Sequence, residues 1–252
     1  MKIDSWKKRA AQWGVALVLA MAGSGAFANP ASVKLDHAPI DPSDMASLQR
    51  GAQHFMNYCL TCHSAQFARY DLLTRLGLTE EQVKKNLILT DAKIADYMTV
   101  VLNPKDAKAW FGVPPPDLSV EARVRGADWL YTYLRSFYRD DQRDSGWNNL
   151  VFRQVAMPHV LYELQGEQVL KAEEGKPGEG EHHAASLVLA KPGKLSPKEY
   201  DQFTADLVNY LVFMAEPMQQ TRIRIGYGVM IFLALAFVIT RALKHEYWKD
   251  VH

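Results

Sequence analysis

Cysteine is nearly absent from this chain: two residues in 252, three positions apart. No further Cys or His stands at ligand spacing around them, and the other histidines are scattered at His37, His54, His159, His182, His183, His245 and His252. That excludes a zinc site built on this pair. A glycine-rich nucleotide loop, a paired acid and base, and a nucleophile triad are also missing, so the sequence gives no basis for independent catalysis. No internal repeat is visible, which excludes a repeat array. Charge is nearly balanced at +1, and no nucleic-acid partner is expected.

What is present is concentrated in Cys59-Leu60-Thr61-Cys62-His63. Cys-x-x-Cys-His is the attachment sequence of a c-type haem. Two thiols at this spacing on a helix end add to the two vinyl groups, and the following His63 supplies the proximal imidazole. A thioredoxin-type pair needs a βαβ setting, whereas the flanks read as helix. A disulfide across two intervening residues would be strained.

The ends of the chain read as export and anchoring signals. Met1 to Ala28 begins with Lys2, Lys7, Lys8 and Arg9, carries an apolar run from Val15 to Ala22, and closes on Ala26-Phe27-Ala28. This is a cleavable signal, too short in its apolar part to span a bilayer. Ile223 to Thr240 is apolar apart from Arg224 and is followed by Arg241, Lys244, Tyr247, Trp248 and Lys249. That stretch is long enough, with its flanks, for one transmembrane helix. The expected organisation is a signal at 1–28, an exported domain at 29–221, a membrane helix at 222–241 and a cytoplasmic tail at 242–252. The first 28 residues and the stretch from Arg222 each carry +3, leaving −5 on the exported body. Such a surface steers a basic partner.

Between these ends, Asp44, Thr79 and Ser196 read as helix caps, the last with Pro197 and Glu199 in a capping box. Gly51 and Phe55, four apart, offer a flat spot for a close helix crossing. Helical pieces are expected over Phe67–Leu76, Glu80–Leu89, Ala92–Leu102 and Val120–Arg139, with a rigid proline loop over Asn103–Ser119. Short strands are expected at Val160–Leu164, Glu167–Lys171 and Ser186–Ala190, the first two joined by a turn at Gln165-Gly166. Ala172 to His183, rich in Glu, Gly, Lys and His, reads as a loop. A helix opened by Ser196 should stop before Pro217.

A haem iron held by His63 on one face needs a ligand on the other, and methionine there makes an electron-transfer site. By position the candidates reduce to Met98, inside an apolar pattern, and Met157, in irregular chain before Pro158. Met157 is preferred, and His159 is its rival.

These residues together resemble the cytochrome c1 family of bacterial ubiquinol–cytochrome c reductases. The resemblance rests on Tyr58 to Ser64, Pro115-Pro116-Asp117-Leu118-Ser119, Met157-Pro158 and Ala215-Glu216-Pro217 before the anchor. It implies a mainly α fold: a class I cytochrome c-like domain with insertions and a small β hairpin region, plus one C-terminal transmembrane helix. It implies one haem c on Cys59 and Cys62, with His63 and Met157 as axial ligands and Pro115 and Pro116 bordering the pocket. An arginine after the proline block pairs with a propionate in the family; Arg125 matches best and Arg123 is the alternative. Trp129 stands where the family usually has tyrosine beside the haem, and the second cysteine pair of some relatives is missing. The implied partners are cytochrome b and a Rieske iron–sulfur protein in one dimeric complex, with a cytochrome c as acceptor. The chain would be a subunit of the inner membrane, haem domain periplasmic, passing single electrons rather than catalysing alone. A cytochrome subunit of another respiratory enzyme, such as a terminal oxidase, and a haem-based ligand sensor are the alternatives.

Overall fold

Two helices cross at the centre of the domain, and glycine decides how closely. The computed structural model describes residues 33–100, 102–171 and 186–250. The expected signal at 1–28 and the 172–183 loop lie outside them. Helix α1 (Met45–His54) starts where Asp44 accepts from the Ala46 and Ser47 amides, and it buries Ser47, Leu48, Gly51 and Ala52. That stripe recurs at three- and four-residue spacing and lies against the long helix Pro197–Ala215, here named α7. A Cβ built on Gly51 would lie 2.0 Å from the Asp206 carbonyl oxygen, so the flat spot read from the sequence is a true contact. Beside it Arg50 donates through Nε (2.6 Å) and a terminal nitrogen (3.0 Å) to the buried Asp206 carboxylate. Burial pushes the Asp206 pKa up, but hydrogen bonds from Arg50, Ser47 and Gln202 outweigh that and hold it below the usual range. Asn209 adds a donor to Ser47 Oγ (3.0 Å).

The capping expectations hold. Thr79 and Gln82 form a capping box on α2 (Glu80–Asn86). Ser196 and Glu199 form another on α7, with Pro197 in its first turn, and α7 ends at Ala215 before Pro217.

Elsewhere distant contacts override local pattern. Phe67–Leu76, expected as helix, divides between strand β1 (Ala65–Arg69) and a 3₁₀ stretch at Tyr70–Leu76. Strand β1 pairs antiparallel with β2 (Tyr97–Met98), so the helix expected over Ala92–Leu102 is also not formed. Asp96 instead folds back to accept from the Lys93 amide (2.7 Å). The expected proline loop contains a helix, α3 (Pro104–Phe111): Asn103 caps it, Pro104 occupies a first-turn position needing no N–H, and Gly112 ends it at φ +81.

The helix expected over Val120–Arg139 is broken by Gly126 (φ +88, ψ 155) into α4 (Glu121–Arg125) and α5 (Ala127–Arg135). Its last residues form strand β3 (Phe137–Arg139), paired with β4 (Trp147–Asn149). Val160–Leu164 is not a strand; Tyr162–Gln165 makes one helical turn, α6. Strand β5 (Gly166–Lys171) then pairs with β6 (Ser186–Pro192), not with the segment before Gly166. The fold is thus mainly helical with small antiparallel strand pairs, as expected, and there are three such pairs among the described residues. Helix α8 (Gln219–Tyr247) runs 29 residues at a mean hydropathy of 2.1 over its most apolar window, with none of that window buried. By length and composition it is able to cross a membrane.

Candidate functional site

Helix α1 does not simply stop at the cysteine pair; it widens. Phe55–Cys59 forms a π-helical turn, closed by the Leu60 amide on the Phe55 carbonyl (3.0 Å). The extra residue in that turn rotates the cysteine motif relative to the buried stripe of α1, the kind of bulge found at functional sites. The Cys62 and His63 amides then both reach back to the Cys59 carbonyl (3.1 and 2.9 Å), keeping the motif coiled. Both cysteines are free and partly exposed. Burial of the sulfur, with Cys62 adding to it, pushes the Cys59 thiol up to about 12. A thiol so protonated lacks the low pKa that a thiolate redox pair requires.

His63 is fixed by the proline block. Its Nδ1 lies 2.8 Å from the Pro116 carbonyl oxygen. A carbonyl only accepts, so Nδ1 carries the proton and the Nε2 lone pair is left for a metal. Burial also pulls the His63 pKa below the ordinary histidine value, favouring the neutral ring that can ligate. The carbonyl is held in turn: the Leu118 amide donates to Ser64 O (2.8 Å), the Gln66 amide to Asp117 Oδ2 (2.7 Å) and the Phe67 amide to Ser119 Oγ (3.0 Å). Pro115 and Pro116 thus run beside residues 63–67, stiff by their fixed φ.

Met157 hangs from a different scaffold. Asn149 is fully buried at the end of β4. Its Oδ1 accepts from the Val151 and Phe152 amides (2.9 and 3.1 Å), and its Nδ2 donates to the Tyr133 carbonyl (2.8 Å). Asn148 Oδ1 likewise takes the Gln154 amide (2.9 Å), at the one described non-glycine residue with positive φ (59°). These two side chains shape the loop that presents half-buried Met157, whose sulfur accepts from Tyr133 Oη at 3.4 Å.

A wall of side chains runs between the two expected ligands. The Asp117 and Glu121 carboxylates act on His63. Glu121 holds Arg125 Nε at 3.0 Å, and Arg125 sits 4.8 Å over the Trp129 ring. Trp129 stacks on Tyr133 at 4.8 Å and 11°, and Tyr133 reaches Met157. Arg125 and Trp129 therefore lie on this wall. Arg123 turns the other way, to Glu216 (3.4 Å), which also pairs with Arg222 (2.6 Å) at the root of α8.

Both rivals of Met157 are buried in the core, where the His159 Nε2 finds no hydrogen-bond partner among the described residues. Met98 is fully buried and takes the Tyr210 hydroxyl (3.8 Å). His159 is 2% exposed, stacked on Phe137 (4.8 Å) and edge-on to Trp147 (5.0 Å); burial pulls its pKa to about 4, a neutral core histidine. Tyr133, Glu121 and Asn149 are the site residues that sequence reasoning missed. Tyr133 had one available signal, its place one turn beyond Trp129 on the same helix face.

Comparison with known proteins matches residues 36–188 and 194–251 to the Cytochrome C1 family. The chain is 46% identical over 239 residues to cytochrome c1 of Allochromatium vinosum, covering 94% of this chain and 98% of that one. It is 50% identical over 236 residues to a Nitrosomonas europaea protein named ammonia monooxygenase gamma subunit, covering 94% and 97%. The mitochondrial cytochrome c1 heme protein of Saccharomyces cerevisiae is 25% identical, covering 88% and 72%. A chain of a hyperthermophilic respiratory Complex III aligns over 98% of this chain and 100% of its own, at 14% identity and a TM-score of 0.45. On the family match and the Allochromatium identity, the chain belongs to the cytochrome c1 family.

Proposed function

We propose that this protein is the membrane-anchored cytochrome c1 of a quinol–cytochrome c reductase, receiving single electrons from a Rieske iron–sulfur protein and passing them to a cytochrome c. The observation that carries the reading is the His63 Nδ1–Pro116 hydrogen bond, which prepares one imidazole nitrogen for iron immediately after the attachment cysteines. The residues fit a c-type haem: two free thiols at attachment spacing, a neutral oriented histidine, and a loop-borne methionine sulfur. Cys59 and Cys62 would hold it covalently, His63 and Met157 would be its axial ligands, and Arg125 on the wall is placed better than Arg123 for a propionate. When bound, the haem supplies a one-electron couple. The chain's own work is to orient the ligands through Pro116 and Asn149 and to line the pocket with Trp129 and Pro115. The domain at 29–221 would face the periplasm, with the span at 222–241 inside α8 and the tail at 242–252 in the cytoplasm. Partners would be cytochrome b and the Rieske protein, in a dimer.

The Nitrosomonas relative favours a second reading, a cytochrome subunit of a different membrane oxidoreductase. Mild detergent extraction followed by affinity capture of this chain separates them. Co-purification of a b-type cytochrome and a Rieske protein supports the first reading; their absence, with other oxidase subunits in their place, overturns it.

Covalent attachment has its own test. A Cys59→Ser, Cys62→Ser double variant is expected to lose essentially all colour to acid acetone, while the unsubstituted chain keeps it in the denatured band. Equal loss from both would remove the haem c assignment.

The charge of −5 between the signal and Arg222 predicts a further result. Electron transfer to a basic cytochrome c should slow about tenfold between low and high salt, the low end of electrostatic steering. A flat salt profile would show that this acidity plays no part in docking.

A further inference from the structure

Tyr133 is placed with more care than a packing residue needs. Its ring is stacked on Trp129 at 4.8 Å on one side and met edge-on by Phe137 at 5.1 Å on another. Its hydroxyl ends 3.4 Å from the Met157 sulfur. A tyrosine hydroxyl is protonated at neutral pH, so the group is a donor to the sulfur. Donor and acceptor also hang from the same buried group. Asn149 Nδ2 holds the Tyr133 carbonyl, and Asn149 Oδ1 holds the Val151 and Phe152 amides at the start of the Met157 loop. The backbones that carry the two partners are thus tied to one buried side chain.

We propose that Tyr133 is a positioning residue that sets the reduction potential, by donating a hydrogen bond to the sulfur of Met157. The proposal rests on Met157 being the sixth ligand. The physics gives its sign. A sulfur lone pair shared with a phenol is a weaker donor to iron, and the loss is felt more by the ferric state, which carries the extra charge. The hydrogen bond therefore disfavours oxidation and raises the potential. A neutral hydrogen bond is worth about 1 kcal/mol, and only its difference between oxidation states counts. Its removal should shift the one-electron equilibrium about threefold towards the oxidised form, roughly 28 mV downward at 59 mV per decade. Trp129 serves the same end at one remove, since its stack fixes the angle from which the hydroxyl approaches.

The test uses the full chain in detergent, with three variants and three readouts: redox titration, the sulfur-to-iron charge-transfer absorption of the ferric form, and carbon monoxide binding. Tyr133→Phe is expected to lower the potential by that amount while keeping the absorption and refusing carbon monoxide. A fluorotyrosine placed at position 133 keeps the shape but donates more strongly, and is expected to raise the potential. It guards against a folding defect in the phenylalanine variant. An unchanged potential in both overturns the proposal, as does loss of the absorption with carbon monoxide binding in Tyr133→Phe, which would make Tyr133 a structural support only. Met157→Ala tells this failure from that of the underlying reading. If it too leaves absorption and potential unchanged, Met157 is not the ligand. If it abolishes the absorption while both tyrosine replacements are silent, Met157 stands and the tuning role falls.

Discussion

Met157→Ala is expected to leave the haem on the chain and to change nearly everything else about it. Attachment depends on Cys59 and Cys62, in the coiled turn after α1, and His63, the proposed proximal ligand, stays tied to Pro116 at 2.8 Å. Neither element leans on the Met157 loop. That loop is held by Asn148 and Asn149, so truncating its half-buried methionine costs little stability beyond the lost contact with Tyr133. Methionine opposite histidine favours the reduced state and closes the position to small ligands. Without it the potential should fall by on the order of 0.1 V or more, well inside the roughly 0.8 V that axial ligation spans. Carbon monoxide should then bind the reduced form, and the sulfur charge-transfer absorption should vanish. Met98→Ala is the opposite control. Met98 is fully buried beneath Tyr210, so its truncation should cost about 2–5 kcal/mol of stability. It should leave potential and ligand binding as they were. Retention of the wild-type potential in Met157→Ala, with loss of it in Met98→Ala, would reverse the ligand assignment.

How much of this molecule was legible in its sequence depends on how far each determinant reaches along the chain. Caps are local: Asp44, Thr79 and Ser196 satisfy amides two or three residues away, so their signature is complete within a short window. The attachment motif is local too, because covalent chemistry fixes its spacing. The strand at Ala65–Arg69 is not. Its amides are taken by Asp117 and Ser119 some fifty residues on, and its pairing partner is Tyr97–Met98. The propensity of the segment says nothing about either. The proline-rich stretch misled for the reverse reason: a proline inside a helix's first turn is favourable, so Pro104 begins a helix rather than forbidding one. At the site itself the residue types were readable and their directions were not. Arg123 and Arg125 are two apart on α4, and that offset sends one to Glu216 and the other over Trp129. Tyr133 looked like one more aromatic in an aromatic helix, and only the buried Asn149 reveals that it and Met157 share a support.

Gly51→Ala is expected to be strongly destabilising, although helix propensity predicts the opposite. In the middle of α1 alanine should be better than glycine by about 1 kcal/mol. Packing reverses that sign. The added Cβ would stand 2.0 Å from the Asp206 carbonyl oxygen and 2.7 Å from Tyr210 Cβ. The first of these is backbone and the second is the stem of a fully buried tyrosine, so no flexible side-chain tip exists to swing aside. Relief requires α1 and α7 to separate. Separation loosens the Arg50–Asp206 pair, the Asn209–Ser47 hydrogen bond and the Phe55–Tyr210 contact at 5.5 Å together. Overpacking of this kind costs about 3 kcal/mol or more, close to 10 °C in Tm for a domain of this size. Because α1 runs directly into the π turn that presents Cys59, the yield of haem-attached protein should fall along with the melting temperature. Gly112→Ala calibrates the result. Gly112 has φ +81 and ψ −32 with open space around it, so alanine there is charged only the backbone strain, about 1–3 kcal/mol. Thermal unfolding followed by circular dichroism on the two variants decides the matter: a Gly51→Ala protein as stable as Gly112→Ala, or more so, would mean that the close approach of α1 and α7 is not what holds the attachment turn in place.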